Sequence, residues 1–213
     1  MRLLPLVLSA HPSSWHCLEP VGGRQERHGP PTSSCRFCGC AAPGWMTWFH
    51  LNGDHDDDRP ENRAGACPLC HLVQHLDRPH IEREASLIWL PEMSQAAVIA
   101  LARRSHQVFL AHGEPPTLGR RPRTEASAFI AAFSAYQALA AREAALVDRI
   151  GTSAPAILGA ALLELHNDIG VGPDIAGIRL LPCGRLYQNG EDIYPRLLMA
   201  CPAPSFEPGH RRC

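Results

Sequence analysis

Hydrophobic and polar positions along this chain fall into two periodicities, separated by stretches with neither. Between Thr124 and Ile150, the residues Phe129, Phe133, Tyr136, Leu139, Ala140, Leu146, Val147 and Ile150 recur at helical spacing, while Glu125, Arg142, Asp148 and Arg149 largely fall off that stripe. One long helix with an internal apolar seam is predicted. From Ser94 to Leu110, Ala97, Val98, Leu101, His106, Val108 and Phe109 predict another helix, ended by Gly113-Glu114-Pro115-Pro116. Ser153 reads as an N-cap with Pro155 in the first turn of a third helix, running through Leu165. Short apolar runs predict strands instead. They are Leu3 to Ala10, read as a buried strand, Trp45 to Leu51, and Leu87-Ile88-Trp89-Leu90 closed by Pro91. Ile178 to Leu181 and Arg185-Leu186-Tyr187 add two more, with Asn189-Gly190 as a tight-turn dipeptide. Loops are expected at Val21 to Ser34, after Trp15, and at Gly113 to Arg123, which carries three arginines. The pattern gives an α+β protein, with an N-terminal module over 1–93, a mainly helical region over 94–201 ending in short strands, and a loose tail over 202–213.

Composition changes this picture in two places. The chain has 213 residues and a formal charge of -1, so no overall basic field attracts a polyanion, although every basic residue other than histidine is Arg, which suits bidentate phosphate contacts. Nine cysteines raise the question of disulfides, but four have knuckle spacing and the others, Cys17, Cys40, Cys183, Cys201 and Cys213, form no framework. A reducing cytoplasm fits better. The opening Leu3–Ala10 run superficially resembles a short signal h-region, yet the strand reading is preferred. No stretch reaches the roughly 20 apolar residues of a transmembrane helix.

The strongest chemical signal is the pair of Cys-x-x-Cys knuckles, Cys35/Cys38 and Cys67/Cys70. Each two-residue gap lets a tight turn present both sulfurs to one ion, and two knuckles fill a closed tetrahedral shell, so a structural Zn²⁺ is expected. Cys40, two residues beyond the first knuckle, is read as a bystander. The zinc supplies much of the stability of so small a ribbon.

Inside this ribbon the chain reads His50-Leu51-Asn52-Gly53-Asp54-His55, then Asn62, then Cys70-His71 and His75. That order resembles the skeleton of an HNH nuclease on a ββα-metal fold. In such a site Asp54 binds a divalent ion, Mg²⁺ or Mn²⁺, and His55 takes a proton from the attacking water. Asn62 holds the loop, and a helix over Cys70–Leu76 presents His71 and His75 on one face, either of which completes the metal shell. The spacings from Asn62 to Cys67 and from Cys70 to His71 agree with this motif. Only a short stretch separates His55 from Asn62, and the usual Gly-rich insertion is missing.

A second resemblance covers more of the chain. Pro5-Leu6-Val7-Leu8-Ser9-Ala10-His11-Pro12-Ser13-Ser14-Trp15, Cys35-Arg36-Phe37-Cys38-Gly39, Asn62 through Cys70 and Ser86-Leu87-Ile88-Trp89-Leu90-Pro91-Glu92 are similar to the IcmJ/DotN family of type IVB (Dot/Icm-like) secretion and conjugation systems. Gly151-Thr152-Ser153-Ala154-Pro155 extends the likeness into the helical half. It implies an adaptor subunit of a coupling complex that binds the coupling ATPase at the cytoplasmic face of the inner membrane and aids substrate recruitment. It also implies zinc at Cys35, Cys38, Cys67 and Cys70, and a degenerate HNH-like core. Retention of Asp54-His55 and His71/His75 departs from that degeneracy, so the alternative is a metal-dependent HNH endonuclease cleaving DNA.

Overall fold

The structure is a computed structural model that describes residues 3–14, 33–117, 119–120, 126–167 and 175–201, with backbone alone at 166 and 167. Trp15, most of the 21–34 loop, Arg121, Arg123 and the 202–213 tail lie outside the described residues.

The chain builds a mixed α+β protein from small antiparallel sheets and helices. Thr47–His50 (β1) and Arg63–Ala66 (β2) form a hairpin, with Thr47 opposite Ala66 and His50 opposite Arg63. A short helix, Pro68–His71 (α1), follows with Pro at its first position, where the missing N–H costs nothing. The chain then tightens into a 3₁₀ turn over Leu72–Gln74 that ends at His75. The expected helix over Cys70–Leu76 therefore begins earlier and stops sooner. Ile81–Glu84 (α2) leads into Ala85–Trp89 (β3).

The remaining elements are Gln95–Ala111 (α3), Ser127–Ala140 (α4), Arg142–Ile150 (α5), Pro155–Asn167 (α6), Ile178–Pro182 (β4), Tyr187–Gln188 (β5), Glu191–Asp192 (β6) and Tyr194–Ala200 (α7). Ser94 caps α3 by accepting the Ala97 N–H at 3.2 Å. The long helix expected over Thr124–Ile150 is two helices that meet at Ala141, and α5 ends on Gly151 in the left-handed region. Ser153 does not cap α6; its hydroxyl donates to Glu143, and the Glu82 carboxylate accepts the Ala156 N–H from outside the helix. Asn189 and Gly190, both at positive φ, close the β5–β6 hairpin as their dipeptide predicts. α7 was not expected from the pattern.

Register in the β3–β4 ladder divides the core. Leu87 and Leu180 pack on one face with Leu69, Leu72, Leu76 and Tyr194, while Ile88 and Leu181 face Val98, Phe109, Phe129 and Tyr136. Burial on both faces explains the unbroken apolar run Leu87–Leu90, since no face is left for polar alternation. This ladder joins the segments on either side of residues 93 and 94, as does the first core cluster. Gly177 sits beneath Trp89, where a Cβ would meet the indole at 2.3 Å. The opening run is not a strand. Leu6 and Leu8 are buried and Val7 is exposed, so the alternation is real, but the segment is tied by single bonds, Leu4 N–H to Arg36 O and Ser9 N–H to Val73 O.

Among the described residues no single helix is long and apolar enough to cross a membrane. Of the apolar residues on α4 and α5, Phe129, Tyr136, Leu139 and Leu146 are buried in the core, while Val147 and Ile150 are exposed.

Candidate metal centres

The two knuckles meet where the β1–β2 hairpin presses on the first of them. Arg36 N–H donates to Gly65 O at 2.9 Å, and Cys35 N–H to Cys40 O at 2.8 Å. Gly39, at φ +70, turns the chain back after Cys38, a backbone that side chains resist. The second knuckle is the start of α1, with Cys67 at its N-cap and Cys70 in its only turn. The sulfurs of Cys35, Cys38, Cys67 and Cys70 lie within 4.8 Å of one another, and Cys38 and Cys67 are 3.7 Å apart. Tetrahedral metal–sulfur bonds of about 2.3 Å require neighbouring sulfurs about 3.8 Å apart. The four fit such an ion. Hydrogen bonds from Cys35 first, then Cys67 and Cys70, hold the Cys38 thiol far below its ordinary value, and hydrogen bonding within the group pushes Cys67 and Cys70 up. Cys40 stays outside the four, a free thiol hydrogen-bonded to that of Cys201.

A second cluster, of imidazoles, draws on the end of α1 and the turn that follows it. His55, His71 and His75 offer nitrogens within 4.8 Å of one another, and the Nε2 atoms of His71 and His75 are 3.3 Å apart. Metal–nitrogen bonds of about 2.0–2.1 Å place tetrahedral neighbours about 3.3–3.4 Å apart. Thr47 fixes the orientation. Its hydroxyl reaches Ala66 O at 3.4 Å and His71 Nδ1 at 2.9 Å. Donation to the carbonyl makes the hydroxyl an acceptor for Nδ1–H, which leaves a lone pair on His71 Nε2 facing His75. Burial pushes both imidazoles down, His75 to about 3 and His71 well below the usual range, so both are neutral near pH 7. His55 is half-buried and His50, its ring centroid 4.9 Å away, has a buried Nδ1 with no partner.

The carboxylate of Asp54, expected as a metal ligand, accepts the Ser13 hydroxyl at 2.8 Å and the Asp56 N–H at 3.0 Å, and it is not among the grouped imidazole donors. The Asp56 amide, followed by Ser13, holds its carboxyl below the usual range. The Ser13 hydroxyl also accepts the His55 N–H at 2.8 Å. Asn62 sits as a loop clamp: its Oδ1 accepts the Asn52 N–H at 3.0 Å, and its Nδ2 donates to Asn52 Oδ1 at 2.9 Å and Asp57 O at 2.8 Å. His55, expected as the base, lies with His71 and His75 as a third nitrogen donor. Both His71 and His75 face the cluster, which the spacing alone left open. Sequence reasoning missed Ser13 and Thr47, because nothing in a distant Ser or an in-strand Thr announces a contact made only by folding.

Fold and clusters together define an α+β protein with a four-cysteine group able to hold a metal ion. No family model matches the chain, and no curated protein is similar to it at a significant level.

Proposed function

We propose that this chain is a zinc-binding adaptor subunit of a type IV secretion coupling complex. It binds the coupling ATPase, sits at the cytoplasmic face of the inner membrane through that partner, and aids recruitment of exported substrates. The resemblance to IcmJ/DotN sets the reading, and the observation that carries it is the placement of Asp54. With that carboxylate tied to Ser13, the inner cluster is imidazole only, and Mg²⁺ is a hard ion that takes oxygen ligands. The neighbouring Asp56, Asp57 and Asp58 repel a phosphate backbone as well. Such a module serves better as a scaffold than as a nuclease. Zinc is the ion for the four cysteines because thiolates in a closed tetrahedron select it over hard divalent ions.

Phe129, Tyr136, Leu139 and Leu146 of the stripe on α4 and α5 belong to the core, so the partner surface is sought at its exposed end. Val147 and Ile150 on α5 and Ile157 on α6, exposed by 41, 45 and 58 %, flank the short link between these helices and offer an apolar contact. Copurification with the coupling ATPase of the same system is the test. Association that weakens in Ile157→Asp is expected; purified protein that captures no coupling subunit overturns the adaptor reading.

A second reading, a metal-dependent HNH endonuclease, is favoured by the Asn62 clamp and by His55 beside His71 and His75. Incubation with single-stranded, double-stranded and nicked DNA in Mg²⁺ or Mn²⁺ separates the two. Cleavage that vanishes in His55→Ala establishes the nuclease, and no cleavage is expected.

A further inference from the structure

We infer that Arg103 is a positioning residue of the four-cysteine metal centre, its guanidinium delivered from α3 to hold the Cys38 thiolate and offset the charge of the loaded cluster. This rests on the zinc reading given above. Arg103 Nη1 donates to Cys38 Sγ at 3.3 Å, across 65 residues of chain. The residue is only 7 % exposed. Among the described residues Arg59, Arg78, Arg142 and Arg196 pair with carboxylates, but Arg103 has no carboxylate partner. A buried guanidinium without an anion is costly, and the sulfur cluster is the anion at hand.

The need is mutual. Four thiolates around one divalent ion leave a net charge of about −2 in a site whose ligands are largely buried. Cys38 is the one ligand of the four with partial exposure, so a donor there both neutralises the centre and fixes its least enclosed sulfur. A guanidinium suits this because it is always charged, weakly hydrated and offers several donors in a rigid fork. Partners of this outer kind orient ligands, and losing one typically costs about 10- to 100-fold in metal affinity. Arg103 also ties the centre to the helical half, because Gln107 one turn along α3 donates to Leu198 O of α7 at 3.1 Å.

The test uses full-length protein loaded with Co²⁺ as a spectroscopic stand-in, together with Zn²⁺ competition against a chromophoric chelator. Wild type should show thiolate-to-cobalt charge transfer. Arg103→Met should shift that band and weaken Zn²⁺ by about 10- to 100-fold, and Arg103→Lys, which keeps the charge but not the fork, should fall between. An unshifted band with wild-type affinity in Arg103→Met overturns the assignment. Should Arg103→Met fail to fold, Arg103→Lys carries the test, and a band and affinity identical to wild type overturn it equally. Absence of thiolate charge transfer in wild type would instead remove the metal centre itself, and the assignment of Arg103 with it.

Discussion

The four cysteines and the three histidines occupy the same stretch of chain, 35–75, and share α1, yet they are assembled by different means. Each cysteine pair is preset by its own tight turn, so folding has only to bring two finished halves together, which the contact of Arg36 with Gly65 does. Among the histidines only His71 and His75 are set by local chain, His71 ending α1 and His75 ending the 3₁₀ turn after it, with ring centroids 4.7 Å apart and the rings edge to face. His55 arrives from a loop whose course depends on Asn62 and on Ser13, 42 residues away. The difference explains why one cluster is closed by local geometry while the other depends on a network of polar contacts around it.

The largest expected effect breaks the first cluster. Cys67→Ser should release the metal and unfold the N-terminal module, because binding free energy at such a site is folding free energy. Elemental analysis and limited proteolysis check this, and undiminished metal in the variant would refute the four-cysteine centre. The contrasting change, Phe129→Ala, removes a fully buried ring from the second core cluster. It should cost about 3–5 kcal/mol in denaturant unfolding while leaving the metal content of the folded protein unchanged; loss of metal there would show that the two regions are not separable.

Asn62→Ala sharpens the comparison at the histidine cluster. It deletes the hydrogen bonds to Asn52 and Asp57, for an expected loss of about 2 kcal/mol. Histidine NMR signals should report a displaced His55 and an intact cysteine centre. An unshifted His55 would mean that Ser13 suffices to hold the loop.

Acid should separate the clusters in protein that holds metal at the four cysteines and none at the histidines. The folded pKa of His75 is depressed to about 3 from an ordinary 6.5, and that of His71 in the same direction. Between those values the unfolded chain binds more protons than the folded one, so stability is fully present above about pH 6.5 and falls as pH drops toward 3. The slope is at most about 1.4 kcal/mol per pH unit for each group. His106, buried against Tyr194, shifts the same way, so the cluster's share is the difference between wild type and His75→Gln in unfolding at pH 7 and pH 5. Equal pH dependence in both proteins would contradict the neutral, buried state of His75.

The smallest effect is expected at the surface. Arg142→Glu breaks an exposed pair with Glu92 at 2.8 Å, worth about 1 kcal/mol or less. It should leave partner binding intact, because Arg142 opens α5 while the proposed contact, Val147, Ile150 and Ile157, lies at and beyond its far end; a large loss of binding would extend the partner surface to Arg142.

Much of this molecule follows from periodicity and spacing alone. The helix capped by Ser94, the strand Ala85–Trp89, the Asn189-Gly190 hairpin and both knuckles are set by local rules, because each depends on residues a few positions apart. The break at Ala141 was not legible, since the apolar repeat runs through it and alanine favours helix on both sides. Nor was the fate of Leu3–Ala10, whose alternation is that of a strand while its pairing is decided by what lies beside it. At the sites, Cys35, Cys38, Cys67, Cys70, His71 and His75 were readable as ligand types. That Asp54 turns to Ser13, that Thr47 orients His71 and that Arg103 reaches Cys38 were settled only by tertiary structure, because a side chain's partner across 24, 41 or 65 residues is fixed by packing and leaves no period in the sequence.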